Sequence, residues 1–436
     1  MKHAFQEFAR YASLNALGML GFSCYILADT FFIAQGLGAD GLTALNLAIP
    51  IYSLVHGCGL MLGMGGATRY SICRGQRDND GASATFVSSV YPTVLLAIIF
   101  VSAGLFFPTP LASLLGADAQ VLTMTATYLR VILLFSPAFL LNDILVCFVR
   151  NDGSPRLSMT AMLAGSFSNI ILDYVFIFPC QMGIFGAVLA TGLAPCISLV
   201  VLSFHRKHAG FGLRRCAVTP SLIGRMLALG LPSLVTELSS GIVILVFNFI
   251  ILGLCGNTGV AAYGVVANLS LVVIALLTGI AQGVQPLLSH AYGRNAQADI
   301  RQLMRYLIVT VLTLSVAIYA LFIFCDTPVV AAFNSAQDAA LQSIAEDGLR
   351  LYFLAIPFAG CNIALSFFFT SIGRALPAHC ISLLRGLVLI VPMAFALSAL
   401  FALTGVWLTF PVTELLVTVC GVVLYWRSMR TSKTVR

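Results

Sequence analysis

Apolar runs long enough to cross a bilayer recur along the whole chain, separated by short segments rich in Gly, Pro and Asn. A helix needs about 20 apolar residues to span the hydrocarbon core. Twelve segments meet that requirement, roughly 11–35, 44–68, 84–106, 124–148, 157–178, 183–204, 226–252, 260–288, 303–325, 349–371, 379–400 and 404–426. The pattern predicts an all-α polytopic membrane protein with twelve transmembrane helices. Composition agrees: 59% of the 436 residues are hydrophobic, 9% are charged, and mean hydropathy is +0.99. That is too little charge to cover a water-soluble surface.

Basic residues give the spans an orientation. With the N-terminus in the cytoplasm, 21 of the 23 Lys and Arg fall on the cytoplasmic side, in the termini, 69–77, 150–156, 206–225, 294–305 and 374–385. Only Arg130 and Arg350 fall outside. This asymmetry satisfies the positive-inside rule. Both termini are therefore expected in the cytoplasm of a bacterial-type inner (plasma) membrane, with position 210 inside and position 335 outside. The net charge of +7 then reads as a topology signal and implies no nucleic-acid partner. Met1–Arg10 reads as a cytoplasmic tail, since no small-residue cleavage site follows it. The twelve cysteines are scattered without a Cys-x-x-Cys pair and read as packing residues, not disulfides or metal ligands.

The longest basic loop separates spans six and seven, and the halves on either side of it match. Gly41, Ala44, Gly65, Ser71 and Gly75 correspond to Gly259, Ala262, Gly283, Ser289 and Gly293 at an offset of 218. Leu129, Arg130, Pro137 and Gly153 correspond to Leu349, Arg350, Pro357 and Gly373 at an offset of 220. The expected organisation is an N-lobe at 1–204, a cytoplasmic linker at 205–222 and a C-lobe at 223–436. Six spans per lobe give both repeats one orientation, so a pseudo-two-fold along the membrane normal should relate them across a central cleft.

Five of the sixteen acids, Asp29, Asp143, Asp173, Glu237 and Glu414, fall inside apolar spans, where an ionised group is costly and marks a functional candidate. Asp29 lies about six residues from the outer end of span one, roughly 9 Å at 1.5 Å per residue. Tyr25 precedes it by one turn on the same face, as Asn169 precedes Asp173 in span five. Thr191 of span six reaches a similar depth. These residues either form one oxygen-rich nest, suited to Na⁺ or a shared proton, or each acid satisfies a neighbouring polar group separately. Glu237 and Glu414 lie near mid-membrane and either face one cavity or are lone hydrogen-bonded acids. Asp143 is expected to form a structural ion pair with Arg150. Gln282, Gln285 and Asn362 either line the cleft with the two Glu residues or act as interhelical glue.

Across these spans the sequence resembles the MATE (multidrug and toxic compound extrusion) family over essentially its full length. The resemblance rests on "ADTFFIAQGLGADGLTALNLAIPI", "GGATRYSICRGQ", "VRNDGSPRLSM", "NIILDYVFIF", "GIFGAVLATG" and "AQGVQPLLSHAYG". It implies two six-helix lobes that export organic cations and drugs in antiport with Na⁺ or H⁺. It also implies a coupling site at Asp29, Asn169, Asp173 and Thr191, with Tyr25 alongside; with Na⁺ as the ion, those first four would be its ligands. The family's other site uses an acid in span seven, matched by Glu237, and one in span ten, where this chain has only Asn362. The proline that bends span one in some members is missing here, leaving Gly18 and Gly21.

Other function classes fit less well. The six His are dispersed, with only His56 deep inside a span, so no catalytic cluster is expected at a membrane face. No charged ring or filter loop suggests a channel. A metabolite exporter or a flippase for a lipid-linked substrate is the alternative. A cleft rich in Arg would favour that cargo, and the spans hold almost no basic residues. The expected partners are small organic cations and membrane lipid; the chain is expected to be monomeric, with no cofactor beyond the coupling ion.

Overall fold

A computed structural model of the chain describes residues 2–207, 209–212, 216, 218–334 and 337–434. Positions 208, 213–215 and 217 of the expected linker, and position 335, lie outside the described residues.

Among the described residues, nine apolar helical stretches are long enough to cross a membrane, counting one bent pair as a single span. Three of them fold back at a residue of positive φ: Lys2–Gly75 at Gly38, Pro220–Gly293 at Gly256, and Ala375–Ser428 at Ala402. The described residues thus hold twelve spans. Spans one and two are 2–37 and 39–75; span three is Asn79–Phe106. Span four is Leu122–Leu134 with Ser136–Asn151, bent by 49°; spans five and six are Pro155–Ile177 and Gly183–Ser203. Spans seven and eight are 220–255 and 257–293, and spans nine and ten are Gln297–Phe324 and Ala339–Ser371. Spans eleven and twelve are 375–401 and 403–434. Every span expected from the hydropathy pattern is present, and several run further at their polar ends.

Local chemistry marks the span starts. Asp78 accepts the Gly81 N–H at 2.8 Å ahead of span three, and Thr219 accepts the Leu222 N–H at 3.3 Å ahead of span seven, each satisfying a donor the helix leaves free. Pro155 and Pro220 occupy first-turn positions, where the missing N–H costs nothing. Gly38 (φ 68°, ψ −156°) and Gly256 (φ 62°, ψ −157°) turn the chain between paired spans with the same backbone geometry. They stand 218 residues apart, the offset of the sequence repeat. Only glycine adopts that region freely.

The face that carries both termini is called the terminal face below; the one at Gly38 and Gly256 is the hairpin face. Outward-pointing Leu95, Ile98, Phe249 and Val316 are 60%, 60%, 72% and 60% exposed. Such a belt suits hydrocarbon and would be unfavourable in water. Inside, each lobe has its own apolar cores, and side chains cross between them: Leu234 packs on one N-lobe core, and Leu227 and Phe367 on another. Phe8, Ala12 and Ala16 of span one join the core of the second half, so the lobes interlock at the terminal face.

The seam there is both small-sided and hydrogen-bonded. A Cβ on Gly279 or Gly283 of span eight would run into the backbone of span one at Ala16 or Tyr11. Asn15 donates to the Gly279 carbonyl at 2.8 Å and to Gln282 Oε1 at 3.2 Å. Gln285 donates to Thr68 Oγ1 at 2.9 Å and accepts from Asn151 at 3.2 Å.

Candidate functional site: a carboxyl nest behind a central cavity

Asp29 and Asp173 meet. Span one brings Asp29 and span five brings Asp173 so that the carboxyl groups lie within hydrogen-bonding reach of each other. Asp29 is buried and Asp173 fully so, and each leaves its Oδ1 without a partner. Asn169, one turn before Asp173, is oriented to satisfy both ends of its amide. It donates to Asp173 Oδ2 at 3.0 Å and accepts the Thr191 backbone N–H at 3.2 Å. Thr191 Oγ1 donates to the Ala187 carbonyl at 3.2 Å. The nest therefore unites Asp29, Asn169, Asp173 and Thr191, as their common depth suggested.

Tyr25 departs from that set. Its hydroxyl pairs with Tyr52 of span two at 2.7 Å and faces a central cavity, with no hydrogen bond to Asp29. Tyr128 of span four is also part of the site: it is buried, bonds to Thr191 and lies near both carboxyls. Sequence reasoning missed it, although a tyrosine in the outer part of span four, at the depth of Asp29, was an available signal.

The central cavity lies between the lobes. Tyr25, Tyr52, His56 and Phe139 line its N-lobe wall, and Glu237 and Thr278 line the opposite wall. Tyr25 and Thr191 connect this cavity to the carboxyl nest. Here several expectations need correction. Asp143 pairs with His56 Nδ1 at 2.9 Å and not with Arg150. The reason is helical: seven residues, about 10 Å along the axis, separate Asp143 from Arg150, while span two passes Asp143 directly. A Cβ on Gly59 would collide with the Asp143 carboxyl, so only glycine permits that approach. Arg150 instead donates to Asn15 Oδ1 at 2.5 Å.

Glu237 and Glu414 do not share the cavity. Glu237 lines it, while Glu414 is 1% exposed, held by Arg385 at 2.8 Å and by Asn362 at 2.6 Å. Asn362 is buried in that cluster, and Gln285 is buried in the seam; of the three expected cleft amides only Gln282 reaches the cavity. Arg385, expected on the cytoplasmic side, sits in a π-helical turn of span eleven, Leu384–Val388, and lines the cavity. The cavity is thus not free of bases, but Arg385 is neutralised by Glu414 and Arg150 is 1% exposed.

Beyond the membrane spans, Asp152 anchors the linker. It accepts from Tyr70 at 2.5 Å, from His205 at 2.9 Å and from the Gly210 N–H at 2.6 Å. Burial works to raise its pKa, but these hydrogen bonds outweigh it and hold the carboxyl below its ordinary value.

Comparison with known proteins agrees with this architecture. The MatE family model matches residues 15–175 and 232–396, one match in each half. Multidrug export protein MepA of Staphylococcus saprophyticus is 27% identical over 411 residues, covering 93% of this chain and 89% of the relative. MepA of Staphylococcus aureus is 25% identical over 406 residues, covering 92% and 89%. Among solved structures, a MATE protein in complex with MaL6 superposes with a TM-score of 0.92 at 23% identity, covering 99% of this chain and 97% of that one. An outward-facing multidrug resistance MATE family transporter gives 0.89 at 23% identity, covering 98% and 96%. These superpositions establish the shared fold.

Proposed function

The chain belongs to the MatE family, and from that premise we propose that it is a secondary active exporter of organic cations and drugs. It exchanges them for inward-moving Na⁺ or H⁺ by alternating access between its lobes. The observation that carries this reading is the contact between Asp29 and Asp173. Two buried carboxylates in contact repel unless a proton or a cation lies between them. Occupancy of the nest is therefore a variable that spans one and five respond to. A ligand moves a conformational equilibrium only through differential affinity for the two states, and about 1.4 kcal/mol suffices for a tenfold shift.

In this reading both termini are cytoplasmic, so the seam at the terminal face closes the cavity to the cytoplasm. The external ion then enters the nest, spans one and five repack, and Tyr25 and Thr191 carry the change to the cavity wall. The cavity supports that substrate class: its N-lobe wall is aromatic, and it presents Glu237, an acid unpaired among the described residues. The class agrees with the multidrug export assigned to the staphylococcal relatives. The test is efflux of ethidium from proteoliposomes under separately imposed Na⁺ and pH gradients. Efflux driven by either gradient supports the reading, and no response to either contradicts it.

A further inference from the structure

His56 has no role in the coupling nest, yet it occupies a notable position. Its ring stacks on Phe22 of span one (5.2 Å between centroids, 18° between planes) and lies near-parallel to Tyr52 at 6.0 Å. Nδ1 is fixed on Asp143 of span four. Across the lobe boundary stands Glu237 of span seven; a Cβ on Gly57, beside His56, would lie 3.2 Å from Glu237 Cβ. Glu237 is half-buried, lines the cavity and has no side-chain hydrogen bond among the described residues. The titratable groups facing His56 are therefore Asp143, Tyr52, Tyr25 and Glu237, with Arg150 two turns farther along span four.

We propose that His56, Asp143 and Glu237 form one binding site for aromatic organic cations, in which the bound cation and the His56 proton exclude one another. The inference rests on the reading that the cavity takes such cations. Its logic is charge. A protonated ring cancels Asp143 and leaves one acid, Glu237, facing the cavity; a neutral ring leaves two. A cation seated against Phe22, Tyr52 and Glu237 is attracted by the ring faces and both acids, but repelled by a neighbouring imidazolium. Linkage makes the exclusion mutual: the proton weakens the cation's binding by the factor by which the cation weakens the proton's. On binding, Nδ1–H stays on Asp143, the Nε2 proton passes to water, and the site's total charge is unchanged. The device lies outside the Asp29–Asp173 nest, so substrate binding has a proton count of its own.

The experiment uses the purified full-length chain in detergent and tetraphenylphosphonium as the probe, with a pH-indicator dye in weak buffer. Asp29→Asn with Asp173→Asn removes protons that belong to the nest. That protein is expected to bind tetraphenylphosphonium and release up to one proton per cation, and addition of His56→Gln should abolish the release. In the wild-type background, His56→Gln should flatten the pH dependence of affinity by up to tenfold per pH unit. Asp143→Asn, which keeps the ring and the shape, should move the release to lower pH. Binding without proton release in the Asp29/Asp173 variant, or release that survives His56→Gln, overturns the proposal and leaves the exporter reading intact. Failure of the wild-type protein to bind the cation at all overturns both.

Discussion

Gly75 and Gly293, partners in the sequence repeat, meet where the two halves converge at the terminal face. A Cβ built on either would stand 3.0 Å from the Cα of the other and collide with a backbone carbonyl of the facing helix, His290 O or Ile72 O. The contact is reciprocal, as a pseudo-two-fold axis requires. It places the ends of spans two and eight against each other, and with Gln285, Thr68 and Asn15 it makes this face the closed side of the cavity.

Asp152 should tie the linker to the N-lobe in a pH-dependent way. Its hydrogen bonds from Tyr70, His205 and Gly210 hold its pKa below the ordinary value despite burial. A depressed carboxyl contributes stability that is present above its unfolded pKa and lost as pH falls through the folded one. Asp152→Asn is therefore expected to destabilise the protein by about 1–3 kcal/mol at pH 7. The deficit should shrink as pH falls below the ordinary carboxylate range. Thermal unfolding of both proteins across that range checks it; an equal deficit at every pH would contradict the assignment.

Tyr128→Phe removes a buried phenol that bonds to Thr191 near both nest carboxyls and leaves the ring packing in place. Loss of a hydrogen bond of about 1 kcal/mol corresponds to roughly a fivefold change in affinity. The half-saturating concentration of the coupling ion should rise by about that factor, with thermal stability nearly unchanged. An unaltered ion dependence would return Tyr128 to a packing role.

Ala402 makes the turn between spans eleven and twelve with φ 49° and ψ −129°, a region that favours glycine. The left-handed penalty of about 1–2 kcal/mol exceeds the extra chain entropy that glycine brings. Ala402→Gly should raise the unfolding midpoint, consistent with about 0.5 kcal/mol of added stability. A lowered midpoint would show that the alanine methyl packs favourably.

Much of this was legible in the chain itself, and what was not has a common cause. Hydropathy located the twelve spans because lipid imposes one length and one polarity on each. The repeat offset of 218 also governs the turns at Gly38 and Gly256. Depth along the spans brought Asp29, Asn169, Asp173 and Thr191 to one level, which required only the rise per residue. Pairing across helices needs the rotation of each helix about its axis, and no count of residues supplies that. Hence Asp143 was assigned to Arg150 when His56 was its partner, whether Glu414 shares the cavity stayed open until Arg385 was seen to hold it, and Tyr128 went unnoticed.

The central claim is that the Asp29–Asp173 pair couples the ion gradient to export. The most direct measurement compares gradient-driven transport with binding and exchange in Asp173→Asn, which keeps size and hydrogen bonding but removes the titratable charge. In proteoliposomes, this variant and Asp29→Asn should lose uphill transport of ethidium under imposed Na⁺ or pH gradients. Ethidium binding should persist, and Asn169→Ala and Thr191→Ala should reduce transport less. Wild-type uphill rates in both Asp29→Asn and Asp173→Asn would contradict the account and move the coupling site to Glu237 in the cavity.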